Sequence, residues 1–305
     1  MKTNIRIVAA LFCATLLATA PVRAGQQHAQ IDFAAALGYE YDSNVNIAEL
    51  DTSTGEADSA LQLELGLDGD IPLTEALSLK LGYGYSQTSY REFSAFDLGI
   101  HHGEAEIGYR LGGFDTALAL RQFVVLLDHD RFLEIRQISP SMARLFGEHL
   151  YLRGAWTGAE KTYADYPGRD ANNDALQADA YILLDGMNRY FAFGLRTESE
   201  RAMNDELDYD GTRIKASYGH HLDWFSRGVD ITGRVQFEQR DYVTVSEAIG
   251  GRRHDQRFRA SLTAELPLTG QFRLEGETQY ATHDSNLPGA AYDETVYSVN
   301  LAAAF

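Results

Sequence analysis

Tyr292–Phe305 reads YDETVYSVNLAAAF. Taking every second residue back from the terminus gives Phe305, Ala303, Leu301, Val299, Tyr297 and Thr295, a mostly apolar face. The alternate face, Ala304, Ala302, Asn300, Ser298 and Val296, is small or polar. A period of two sustained over a dozen residues specifies a β-strand. A strand of this length ending on Phe305 has the form of the closing strand of an outer-membrane β-barrel, which needs about 9–11 tilted residues with apolar side chains toward lipid. The competing reading of this segment alone is a half-buried strand of a soluble sheet, so the remaining segments decide.

Working outward, the same alternation recurs in about fourteen segments. Gln30–Asp42 sets Ile31, Phe33, Leu37, Tyr39 and Tyr41 against Asp32, Gly38 and Glu40. Ser59–Gly69 and Leu77–Arg91 repeat it with leucines and tyrosines against Gln62, Glu64, Lys80 and Gly82. Thr116–Leu127 is noisier, and Phe132–Phe146 contains Pro140, which removes a ladder donor and predicts a bulge. Short turns near 70–75, 112–113, 147–148, 186–188, 223–227 and 267–270 alternate with mostly longer polar loops, among them Ser43–Asp58, Ala164–Asp174 and Val243–Arg252. An even strand number and that loop asymmetry predict an all-β, antiparallel, transmembrane barrel with both termini in the periplasm. Tyr39, Tyr41, Tyr85, Tyr90, Tyr163, Tyr242, Tyr280, Tyr297 and Trp224 near strand ends are expected to form interfacial girdles.

The N-terminus reads as a leader. Lys2 and Arg6 precede the apolar run Ile7–Ala20, and Val22-Arg23-Ala24 places small residues for cleavage after Ala24. Residues 1–24 are therefore expected to be a signal peptide and 25–305 the barrel domain. Cys13 is the one cysteine, so the mature chain is expected to have neither disulfide nor thiol nucleophile. Removing Lys2, Arg6 and Arg23 leaves 23 basic residues against 44 acidic, a formal charge near −21. Such a chain is not expected to bind nucleic acid through phosphates. No apolar run of about 18 residues follows Ala24, which leaves a closed barrel as the membrane-compatible form.

On the inferred inward faces, charges of both signs line up strand by strand. They are Arg196 and Glu198, then Arg213 and Lys215, then Arg234 and Glu238, then Arg257 and Arg259, and finally Arg273, Glu275 and Glu277. Acid and base on neighbouring strands are expected to meet across about 5 Å. The ladder reads either as an electrostatic lining that tunes selectivity or as ion pairs that stiffen a watery lumen.

The rim motif Tyr41-Asp42-Ser43-Asn44-Val45 is one of an ordered series of loop-and-turn pieces. The others are Phe96-Asp97-Leu98, Leu126-Leu127-Asp128 with Arg131-Phe132-Leu133, Ile138-Ser139-Pro140-Ser141, Asp208-Tyr209-Asp210-Gly211, and Asp284-Ser285-Asn286-Leu287-Pro288 with Tyr292-Asp293-Glu294. Together they resemble the C-terminal barrel of the surface lipoprotein assembly modifier family. The resemblance implies a fourteen-stranded barrel that helps move lipoproteins across the outer membrane. Family members also carry an N-terminal periplasmic helical-repeat domain. Here strand-type alternation starts almost directly after the leader, so a barrel without that domain is expected. The implied partners are outer-membrane lipid, the barrel-assembly machinery through the C-terminal strand, a surface lipoprotein client, and a separate periplasmic helical-repeat protein. The alternative is a passive porin-like channel for small solutes.

No cofactor, metal site or enzyme activity is expected. Asp128-His129-Asp130 is the sharpest hydrolytic candidate, since a His between carboxylates could activate water at the barrel mouth; a solvated acidic loop is the favoured reading. His101-His102 and His220-His221 are adjacent, so each pair splits across a strand's two faces. Asp170-Ala171-Asn172-Asn173-Asp174 begins like a calcium loop, but Ala175 stands where Gly is required and Tyr181 where the bidentate Glu belongs.

Overall fold

The computed structural model describes residues 29–224 and 227–305; the expected leader and Cys13 lie outside them. Among the described residues fourteen long strands close into one antiparallel barrel. They are β1 (Gln30–Asp42), β4 (Asp58–Pro72), β5 (Leu77–Tyr90), β6 (Leu98–Leu111), β7 (Phe114–Leu127), β8 (Asp130–Phe146), β9 (Leu150–Tyr163), β10 (Ala171–Leu183), β11 (Arg189–Ala202), β12 (Tyr209–Trp224), β13 (Arg227–Ser246), β14 (Gly251–Pro267), β15 (Phe272–Ser285) and β16 (Tyr292–Ala304). Two short strands, β2 (Asn46–Ile47) and β3 (Thr52–Ser53), form a separate hairpin inside the connection from β1 to β4.

The period-2 pattern positions every side chain. Ile31, Leu37, Leu61, Leu81, Ile107, Leu120, Leu176, Phe193, Ile214, Leu262 and Val299 all lie exposed on the outside. An apolar belt of this extent is stable only against lipid. Each opposite parity faces the lumen, where polar groups find partners or water. Closure is made by β1 against β16, from Ala34 opposite Ala304 to Asp42 opposite Val296. Phe33 and Phe305 exchange both backbone hydrogen bonds at 3.1 and 2.9 Å, and their rings stack at 6.3 Å. That seam leaves no open strand edge in the wall.

Gly38 faces Asn300 across the seam. A Cβ at Gly38 would lie 1.6 Å from Asn300 Oδ1 and 3.1 Å from the Val299 carbonyl oxygen. Gly38→Ala is expected to destabilise the refolded barrel by about 1–3 kcal/mol through overpacking. Gly38→Ala/Asn300→Ala should recover most of that loss. Urea midpoints followed by heat-modifiable gel mobility check both.

Several local expectations change. The turn at Asp128-His129 is a two-residue hairpin, with φ of 49° and 68°, in place of a loop. The ladder residues on both sides are β-formers that pair to the tip, so nothing is left to loop. The register shift in this hairpin falls between Val125 and Leu126, and pairing with β9 keeps one register on either side of Pro140. The expected loop Val243–Arg252 is mostly strand, because Tyr242, Val243 and Val245 extend β13 through a register shift between Asp241 and Val245. Residues 171–174, expected in a loop, already pair in β10. Tyr90, Tyr163 and Tyr242 belong to the lumen rather than to a girdle: Tyr163 and Tyr242 are buried, and the Tyr90 hydroxyl donates to Asp42. Tyr39, Tyr41, Tyr280, Tyr297 and Trp224 are exposed as a girdle requires.

Candidate functional site

The connection 43–57, expected as a polar surface loop, folds into the lumen. Its root is the rim motif. Asp42 Oδ1 accepts the Asn44 backbone N–H at 2.9 Å. Ser43 binds Thr295 twice, its backbone N–H donating to the Thr295 carbonyl at 2.9 Å and its Oγ accepting the Thr295 N–H at 2.8 Å. Asn44 donates to the Asp293 carbonyl, while its Oδ1 accepts from Ser53 Oγ and the Gly55 N–H. Three short polar side chains therefore turn the chain out of β1 and clamp both legs of the inserted hairpin to β16. Val45, fully buried, closes the hairpin by exchanging backbone bonds with Glu56 and Thr54.

The tip crosses to the far walls. Ile47 and Leu50 pack on a cluster of Ile100, Phe123, Val125, Phe132, Leu133, Ile135 and Tyr163 from β6, β7, β8 and β9. This cluster is the apolar core of the protein, and it sits in the lumen under the loop. Asp51 (φ 54°) caps the short 3-10 turn Ala48–Leu50. Both of its oxygens are held by Arg253 of β14, Nη2 to Oδ1 at 2.6 Å and Nη1 to Oδ2 at 3.0 Å. Arg169, in the β9–β10 connection, adds a bond to the Glu49 carbonyl at 2.6 Å and an ion pair to Asp51 at 3.4 Å. Burial pushes the Asp51 carboxyl up, but the Arg253 hydrogen bonds and charge, with Arg169 and Arg257, outweigh it and hold it below its ordinary 3.8.

Behind the latch lies the charge ladder. All eleven of its expected members fall on lumen parity, and the densest part is at the outer half. Arg213 lies opposite Glu238, and Glu238 opposite Arg257. Glu238 takes Arg213 at 2.8 Å, Arg240 at 2.7 Å and Arg257 at 3.6 Å. Arg196 binds Glu198 at 2.8 Å, Lys161 pairs with Glu200, and Lys215 meets Asp179 at 3.0 Å. Asp255, wholly buried, joins this network to the latch through Arg253. Arg240 lies over the Tyr209 ring and Arg253 over the Tyr242 ring, at 4.5 and 4.7 Å. The expectation of acid against base on every neighbouring pair needs correction. Arg196 faces Arg213 and Glu265 faces Glu275, and the charges are satisfied along strands and diagonally instead. Arg273, near the opposite rim, lies 3.5 Å from Glu265 and 3.9 Å from Glu275. Arg259 and Glu277 are half-buried on the wall, and Arg234 is half-buried with no ion pair among the described residues.

Asp51, Arg253 and Asp255 were not singled out by sequence, and Tyr242 and Tyr209, named there as a girdle residue and as part of a loop motif, instead pair in the lumen at 5.7 Å. Arg253 and Asp255 continue the parity of Arg257 and Arg259, so extending that alternation would have found them. Asp51 lies outside any alternation. The other candidates separate: Asp128, His129 and Asp130 are exposed at a hairpin tip. His101 bonds outward to Tyr83 while His102 stacks inward on Phe123. Asp170 accepts the Tyr163 N–H at 2.7 Å, a turn contact.

No protein-family model matches the chain, and no curated protein does. Solved barrels do match over nearly their whole length. In vitro folded OmpT, an outer membrane protein of Vibrio cholerae in a trimer form, is similar at TM-score 0.55 and 9% identity, covering 92% of this chain and 100% of that one. A loop L8 deletion mutant of OmpT gives 0.53 and 9%, covering 91% and 99%. An anion-selective porin from Comamonas acidovorans gives 0.52 and 11%, covering 91% and 99%. The chain is an outer-membrane β-barrel.

Proposed function

We propose that the protein is a porin-like channel for small solutes, gated by the loop 43–57 and preferring cations. The observation that carries this reading is how the loop is held. Its root is tied to β16 by backbone bonds, but its tip reaches the far walls without any strand pairing, through Ile47 and Leu50 on the core cluster, Asp51 on Arg253 and Arg169, and the Glu49 carbonyl on Arg169. Such a tip can leave without unpairing a strand. Fourteen strands lie between the filled barrels of eight and the open ones of 16–18, so an internal loop decides the bore. Below the loop the wall of β1, β4, β5 and β6 carries Asp32, Glu64, Asp68 and Glu106 on lumen parity against Lys80 and Arg110, while Glu104 is paired with Arg121 of β7 at 2.9 Å. Lumen charge of one sign tunes selectivity toward the other. The lumen thus favours the opposite ion from that named for the Comamonas porin.

Reconstituted into planar bilayers, the refolded chain is expected to give stable steps with a reversal potential displaced toward K+ over Cl−. Chloride preference would remove the lumen-charge basis of the reading. A barrel folded by heat-modifiable mobility, yet silent both as wild type and with its latch removed, would remove the channel itself.

A second reading, transport or scaffolding of a surface lipoprotein with a separate periplasmic helical-repeat partner, draws support from the rim motif. Asp42, Ser43 and Asn44, on which the family resemblance partly rests, are the residues that direct the loop inward. A silent barrel that retains a lipoprotein on purification would select this reading.

A further inference from the structure

One cation faces the lipid with no protein counter-ion. On β8 the outward parity runs through the exposed Ile138 and Met142 to Arg144. Its register partner on β9 is Leu152, which is also exposed to lipid. Arg144 therefore lies on the outer wall, three residues before Gly147 of the β8–β9 turn. That short-turn end faces the periplasm. The guanidinium carbon sits over the Phe114 ring at 4.9 Å and over the Phe146 ring at 5.1 Å. Two aromatic faces attract the charge, but they leave the guanidinium N–H groups without a hydrogen-bond acceptor. Neither Arg144 nor Glu148 of the adjoining turn makes an ion pair among the described residues. Asp115 of β7, opposite Ala143, is taken by Arg110 at 3.3 Å. No aspartate or glutamate holds an outward position in the inner halves of β7, β8 and β9. Farther round the same rim, Arg189 and His220 lie opposite each other on β11 and β12, again outward. The same end of β1, β6 and β15 carries Ile31, Leu111 and Phe272 instead.

We propose that Arg144, framed by Phe114 and Phe146, docks an anionic phospholipid of the periplasmic leaflet, with the headgroup phosphate on the guanidinium and the acyl chains along the outer faces of β8 and β9. A guanidinium at the edge of the hydrocarbon requires an anion or water. Phosphate matches its fork with two parallel hydrogen bonds. Phe114 and Phe146 mark the aromatic level at which headgroups end and chains begin. A zwitterionic lipid would bring its ammonium to a patch whose outward strand positions carry no acid, so a net anionic headgroup is preferred. The site is on the outside of the barrel and stands whether or not the lumen conducts.

Trp156 reports on this patch. It shares the outward parity of Leu152 on β9 and is itself exposed to lipid. Trp224→Phe leaves it as the sole tryptophan of the chain. The test refolds that chain into phosphatidylcholine vesicles containing brominated phosphatidylglycerol, and into the converse mixture, and reads the quenching of Trp156. Phosphatidylglycerol is expected to occupy the site about fivefold beyond its mole fraction, the scale of one arginine at an anionic surface. Arg144→Gln should bring that preference close to one. Arg144→Lys, which keeps the charge but not the fork, should fall between, and it supplies the reading if Arg144→Gln does not fold. Arg136→Gln, outward on the outer half of β8 and paired with Glu134, should leave the preference in place. Excess inorganic phosphate should not displace the lipid. Equal quenching by the two brominated lipids, a preference that survives Arg144→Gln, or its loss to free phosphate would each overturn the proposal.

Discussion

Asp51→Ala is expected to turn a mostly closed barrel into one that dwells open, with larger and longer conductance steps than the wild type. The carboxylate receives both guanidinium nitrogens of Arg253 and lies 3.4 Å from Arg169. Arg253 is almost wholly buried, its side chain 4% exposed, so removing Asp51 leaves its charge to Asp255 alone. Losing charge-assisted hydrogen bonds of this kind costs about 1.5–3 kcal/mol, which multiplies the open population by roughly ten to a hundred. The barrel wall should be unaffected, because no ladder bond involves Asp51, and heat-modifiable mobility should stay that of the wild type.

The pH dependence follows from the same contact. The groups facing Asp51 are Arg169, Arg253 and Arg257, with Tyr163 and Tyr242 nearby. Closing the loop lowers the Asp51 carboxyl below 3.8, so its contribution to closure is complete above that ordinary value and is lost as pH falls through the depressed one. Wild-type open probability should therefore be flat from neutral pH down to about 5 and rise below about 4, whereas Asp51→Ala should show no such rise. A wild-type transition near pH 6–7 would assign the gate to another group.

The wall was legible in the sequence and the interior was not, for one physical reason. Lipid imposes a uniform outside, so every strand must alternate, and Ile31, Leu61, Ile107 and Val299 announce it. The lumen has no uniform rule. Thr116–Leu127 reads as noisy because Phe123 and Val125 face inward under the loop, where apolar side chains are needed to seat Ile47 and Leu50. The parity of Arg196, Arg213, Glu238 and Arg257 was readable, yet their partners depend on register: Arg213 meets Glu238 but Arg196 meets Arg213. Asp51 is the extreme case. The fifteen residues from 43 to 57 are mostly polar or small and look like a surface loop, and contacts distant in sequence, Ile47 and Leu50 on the core cluster and Asp51 on Arg169 and Arg253, draw it inside.

The largest loss of stability is expected from Asp255→Ala. This carboxylate is fully buried and carries more partners than any single residue of the latch. Arg253 donates Nε to Oδ1 at 2.9 Å and Nη2 to Oδ2 at 2.8 Å. Ser285 Oγ donates to Oδ1 at 2.6 Å, His283 Nε2 lies 3.3 Å from Oδ2, and Arg257 lies at 3.8 Å. Arg240 sits directly across the ladder from it. Removing the anion leaves Arg240, Arg253 and Arg257 crowded with one fewer negative charge in a space that excludes water, a loss of about 3–5 kcal/mol. Asp255→Asn keeps the shape and some hydrogen bonds but not the charge, so it should fall between alanine and wild type. The signature separates the two acids that share Arg253. Asp51→Ala should change conductance and lower the urea midpoint less than Asp255→Ala does, because it empties only the loop side of the guanidinium. Asp255→Ala should lower the midpoint, because it empties the wall side, where β13, β14 and β15 meet. If Asp255→Ala unfolds within about 0.5 kcal/mol of wild type, the cluster is not what stiffens the outer half of the barrel, and the strand ladder with its lipid belt carries that stability alone.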